Sequence, residues 1–179
     1  MTTDFDTRFA IDPVSAATMN TEELREHFLI DDLFASGAVN WTYTHYDRMA
    51  VGGAVPAGAA LALEAIKPTG TANFLDRREL IAANIGTAGT ISVDGKDYAV
   101  GSRDMLYVGM GARDVRFSGD GAKFYLLSAP AHASHPTTLI RQADAKRLDL
   151  GSQETANERS IFQFVNADSV KTCQLVVGL

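Results

Sequence analysis

With one cysteine, Cys173, in 179 residues, the sequence can form no intramolecular disulfide and no Cys-rich zinc module. Long apolar runs are also missing, since none approaches the roughly 18 residues of a membrane span. The acidic start Met1-Thr-Thr-Asp-Phe-Asp lacks the charged-then-apolar pattern of a secretory leader. Basic residues are the minority, 16 Lys+Arg against 22 Asp+Glu for a net charge of −6. That balance argues against a protein whose main task is gripping nucleic-acid phosphates. No Gly-x-Ser-x-Gly elbow, phosphate loop or dinucleotide fingerprint occurs. The expectation is a soluble, cytoplasmic globular chain that partners neither nucleic acid nor membrane. At 46% hydrophobic residues it is well able to build a core, because a fold of this length hides roughly 70% of its unfolded surface.

The chain carries one well-marked helix start. Asn20 can accept the free amide hydrogens of a first turn, and Glu23 completes a capping box three residues on. The helix is expected to end near Phe34, ahead of Gly37. Strand signals follow. Val39, Trp41, Tyr43 and His45 alternate with polar or smaller residues, and Asp94-Gly95 supplies a tight hairpin turn between two strand-like flanks. Further strand-like runs are 61–66, 81–85, 105–108, 115–117, 123–128, 138–141, 161–165 and 173–177, many separated by glycines. Short strands at close spacing predict an all-β, double-sheet barrel with one short N-terminal helix. The expected division is an arm and helix over 1–38, a barrel over 39–150 and a segment over 151–179. Its apolar end at Val176-Val177-Gly178-Leu179 suggests a chain that continues into a second barrel.

Glu79, six residues and then Gly86 resemble the end of the first motif of the cupin barrels (jelly rolls), and Tyr107–Asp114 occupies the place of the second. A metallated cupin needs imidazoles at the barrel mouth, yet Ala72-Asn73-Phe74-Leu75 precedes Glu79. The barrel therefore reads as metal-free, with Glu79 in an ion pair with Arg77 or Arg78. A metal enzyme using Glu79, Asp114 and His132 is a weaker alternative. His132 and His135 flank Ala133-Ser134 without a third ligand, and His45 reads as a core or interface histidine. Cys173 reads as a buried, inert thiol. Arg159, just before an apolar segment, is a fork-shaped cation suited to a carboxylate or to a surface pair with Glu154 or Glu158.

Several ordered strings resemble the 4-deoxy-L-threo-5-hexosulose-uronate ketol-isomerase family. Among them are Leu24-Arg25-Glu26-His27-Phe28-Leu29, Phe74-Leu75-Asp76-Arg77-Arg78-Glu79-Leu80, Arg103-Asp104-Met105-Leu106-Tyr107-Val108-Gly109 and Thr172-Cys173-Gln174-Leu175. The resemblance runs from about residue 20 to the last. It implies isomerisation of that uronate to 3-deoxy-D-glycero-2,5-hexodiulosonate in the breakdown of pectin-derived uronates. It also implies a two-barrel chain, a hexamer, and one zinc held by a His-x-His pair, a Glu and a later His in the second barrel. This sequence has no His-x-His, so the 179 residues resemble the first barrel, with no zinc expected on them and no turnover alone. Within that resemblance Arg159 is the candidate for the substrate carboxylate and Ile161 for an apolar wall. The alternative is a stand-alone, non-catalytic module that binds a sugar acid or scaffolds an oligomer.

Overall fold

In a computed structural model describing residues 3–179, the strands are β1 (Asp4–Arg8), β2 (Ala38–Thr44), β3 (Ala50–Val55), β4 (Leu61–Ala62), β5 (Arg78–Asn84), β6 (Gly89–Val93) and β7 (Lys96–Val100). They continue with β8 (Met105–Val108), β9 (Val115–Ser118), β10 (Phe124–Pro130), β11 (Thr138–Ile140), β12 (Lys146–Leu150), β13 (Arg159–Val165) and β14 (Val177–Gly178). Two short helices, α1 (Pro13–Ala16) and α2 (Thr21–Phe28), lie near the N-terminus.

Seven strands form one sheet in the order β1-β2-β3-β10-β5-β8-β11, and four form a second, β4-β9-β6-β7. The two face each other around a core that includes Trp41, Leu80, Ile91, Leu106, Phe117, Phe124 and Leu126. This is the double-sheet, all-β architecture expected of the sequence. Side chains alternate across a strand, so the seven-stranded sheet has a second apolar face bearing Ile81, Ala83, Met105 and Tyr107. The 146–179 segment covers it with Phe164, Val165, Val170 and Leu175, and β12, β13 and β14 pair as a third small sheet. Lys146–Leu150, placed by sequence in the barrel range 39–150, thus pairs with β13 instead.

Helix α2 begins as expected, with Asn20 accepting from Glu22 and Glu23 amides and Glu23 reaching back to the Asn20 amide. It ends at Phe28, six residues before Phe34. The chain then leaves the helix and passes over β3, where the Leu33 carbonyl lies so close to Gly53 that a Cβ there would sit 2.4 Å from it. Packing over a glycine overrides helix propensity here. The arm holds one helix more than expected, because Asp12 caps the turn Pro13–Ala16. The Asp94-Gly95 hairpin forms as read, with φ of 49° and 82° and Val93 opposite Lys96.

Candidate functional site

Two adjacent residues of β5, an interior strand of the seven-stranded sheet, point to opposite sides of it. Glu79 faces the outer layer and is fully buried. Its Oε1 accepts the amide hydrogens of Gln174 (2.8 Å) and Leu175 (3.0 Å). Its Oε2 accepts the Cys173 amide (2.8 Å) and the Tyr107 hydroxyl (2.9 Å). Three successive amides converging on one anion form a nest, so the carboxylate fastens the 173–175 segment to the barrel. Burial, and then the hydrogen bond to Glu79, push the Tyr107 phenol well above its ordinary value. The sequence predicts an ion pair of Glu79 with Arg77 or Arg78. Strand alternation forbids this for Arg78, and the free amides of the segment take the place of an arginine.

Arg78 faces the barrel interior. Its Nε donates to Ser128 Oγ (3.0 Å), and its Nη2 donates to the Ser128 carbonyl (2.8 Å) and the Arg48 carbonyl (2.7 Å). The guanidinium lies 5.8 Å from the Tyr43 ring and 5.9 Å from that of Phe74. Burial lowers its pKa to about 10, which leaves it charged at neutral pH. A recess of about 400 Å³ opens at this end of the barrel, lined by Tyr43, Arg48, Arg77, Arg78, His132 and Gln174 among others.

The remaining sequence candidates do not gather into one site: Arg159 and Ile161 share β13, and His135 and Cys173 border one concavity. Asp114 is exposed and pairs with Arg116 at 2.8 Å. His132 borders the basic recess, whereas His135 borders other concavities. His45, expected in a core or interface, is exposed past the end of β2 and stacks on Phe9 at 4.7 Å. Cys173 is half-buried rather than buried, its thiol reaching the Ala133 carbonyl at 3.4 Å. Arg159 is exposed at the start of β13, its Nη1 bonded to Asn157 Oδ1 at 2.5 Å, and Ile161 is half-buried two residues along the same strand. Neither borders the basic recess.

A metal ion does not fit the donor set. Among the described residues no three His, Cys, Asp or Glu side chains come together. Glu79, the acid at the cupin-like position, has both oxygens occupied by two donors each, which a metal would have to displace.

Comparisons with known proteins agree with this architecture. The 4-deoxy-L-threo-5-hexosulose-uronate ketol-isomerase 2 of Rhizobium meliloti (strain 1021) is 58% identical over 98% of this chain. The ketol-isomerase of the same name from Cereibacter sphaeroides (strain ATCC 17029) is 54% identical over 98%. The chain spans 64% of the length of each of these relatives. The crystal structure of an IolB-like protein from Salmonella typhimurium LT2 superposes with a TM-score of 0.54 at 15% identity, over 69% of this chain and 46% of that one. That likeness concerns the fold alone. Residues 28–179 match the KduI/IolB family across both barrel sheets and the clamped segment, and the chain belongs to that family.

Proposed function

We propose that this chain serves the isomerisation of 4-deoxy-L-threo-5-hexosulose uronate to 3-deoxy-D-glycero-2,5-hexodiulosonate in the cytoplasmic breakdown of pectin-derived uronates. The observation that carries the reading is identity of 54–58% across 98% of the chain with proteins named for that ketol isomerisation. A ketol isomerisation moves a proton between neighbouring carbons through an enediol-like intermediate, so it needs a base and a stabiliser of developing negative charge. No catalytic base is assigned to this chain. Its contribution is architectural: Glu79 clamps the 173–175 segment, and the third sheet carries Arg159 and Ile161 as contacts for the substrate carboxylate and its apolar side. The zinc of the reading is held by residues corresponding to the part of the relatives that this chain does not span, and the working assembly is a hexamer.

The test compares this chain with a form extended to the full length of its relatives, each incubated with the deoxy-ketouronate with and without zinc. Turnover by the long form alone is the expected result. Robust turnover by the 179-residue chain refutes the division of labour, and an inactive long form refutes the isomerase reading.

A further inference from the structure

We propose that the basic recess at the barrel mouth is a binding site for the carboxylate of a small sugar acid, distinct from the Arg159 region. Four observations meet there. Arg48, Arg77 and Arg78 line one recess, and no acidic side chain among the described residues borders it. That is a concentration of three positive charges on a chain whose net charge is −6. None of the three arginines is in an ion pair among the described residues. Of the acids adjacent to them in sequence, Asp76 is turned onto the Asn73 amide and side chain, Glu79 faces the other side of the sheet, and Asp47 makes no ion pair with them.

The second observation is Arg78 itself, a residue only 5% exposed whose guanidinium has no carboxylate in ion-pair reach among the described residues. A buried charge without a counter-ion is costly. Its Nε and Nη2 bind Ser128 and the Arg48 carbonyl, while Nη1 has no hydrogen-bond partner among the described residues. A planar oxyanion is the natural complement to such a fork.

Third, Arg48 occupies a conformation that its side chain does not favour. It and Asp47 are the central residues of the β2–β3 turn, with φ of 55° and 50°, and the Met49 amide closes the turn on the Tyr46 carbonyl. Glycine or asparagine usually fills the Arg48 position. An arginine held there presents its cation to the recess while its carbonyl fixes Arg78. Strain of this kind gathers at functional sites.

Fourth, the surroundings suit a polyhydroxylated anion. Tyr43, His132 and Gln174 add further hydrogen-bonding groups to the wall. The volume of about 400 Å³ lies within the range of small-molecule sites. The Tyr43 ring under the Arg78 guanidinium and the three arginines at this end of the double-sheet barrel provide orientation as well as charge. The inference does not depend on the isomerase reading, since a chain that turns over nothing would still bind the acid.

The test is calorimetric titration of the full 179-residue chain with D-galacturonate, D-galactose and inorganic phosphate. Arg48→Gly and Arg77→Gln are titrated alongside, because both positions are exposed and the glycine relieves the strained turn. The expected result is saturable binding of galacturonate, with galactose and phosphate at least tenfold weaker. Both variants lose at least tenfold in galacturonate affinity, and the Arg48→Gly unfolding midpoint is unchanged or raised. The proposal is overturned by absent saturable binding, by galactose binding equally well, by phosphate binding as tightly as the sugar acid, or by wild-type affinity in both variants.

Discussion

Replacing Glu79 by glutamine tests the clamp directly. The wild-type carboxylate is fully buried and accepts four hydrogen bonds of 2.8–3.0 Å, three of them from consecutive backbone amides. In Glu79→Gln the amide oxygen can keep the Gln174 and Leu175 pair, but as neutral bonds. A neutral bond contributes about 1 kcal/mol, against about 1.5–3 for one to a charged group. The new NH₂ then faces the Cys173 amide, donor against donor, and leaves that N–H unsatisfied at a cost of about 1–3 kcal/mol. The Tyr107 hydroxyl can rotate to accept, so it softens the loss. The sum is roughly 2–7 kcal/mol, a large share of the roughly 5–15 kcal/mol that stabilises a domain. Part of it can be escaped by releasing the segment, so two measurements are needed. Urea denaturation reports the global loss, and hydrogen exchange at residues 173–175 reports local opening. The expected outcome is a lowered midpoint together with amides at 173–175 that exchange much faster than those of β5. Unchanged protection of those three amides would refute the clamp, whatever the midpoint does.

Tyr107→Phe removes one of the four donors and should cost about 1.5–3 kcal/mol at neutral pH, read by the same denaturation. It also changes the alkaline limb. The folded state holds the Tyr107 phenol protonated well above the usual value, whereas the unfolded chain releases that proton near pH ~10. Its contribution is therefore complete below pH ~10 and drains as pH rises toward the folded value. Tyr125 is raised in the same direction by burial, so wild type falls in this range and Tyr107→Phe should fall less steeply. A steeper or equal slope in the variant contradicts the assignment. Gly52→Ala places a Cβ 2.6 Å from the Trp41 ring and 2.7 Å from the Asn40 carbonyl. It should destabilise by about 1–3 kcal/mol and perturb the fluorescence of the chain's one tryptophan, and an unshifted melting curve would disprove the close approach.

Local chemistry made parts of the fold legible. Asn20 with Glu23 announced a helix start, and Asp94-Gly95 announced a hairpin, because each signal acts within four residues. Strand β3 was hidden by Gly52 and Gly53, residues that weaken a strand by propensity. They are present because Trp41 and the Leu33 carbonyl need their space. The run 173–177 looked like a strand, yet only Val177 and Gly178 pair, since the amides just before them turn to Glu79. That acid is prominent in sequence, but three of its four partners lie some 95 positions away and are backbone amides that leave no residue-type signature. The basic recess is equally non-local: Arg48 comes from a turn and Arg77 and Arg78 from the start of a distant strand, so no spacing rule unites them.

One dipeptide in β5 divides two jobs between its flanks, with Arg78 serving the cavity inside the barrel and Glu79 serving the layer outside it. Gln174 joins the two, since its backbone is tethered by Glu79 while the residue borders the recess of Arg78. Interior and exterior are therefore mechanically wired through a single rung of the sheet. A disturbance that frees the outer layer will also reshape the entrance to the barrel, and the two can be read together in one experiment.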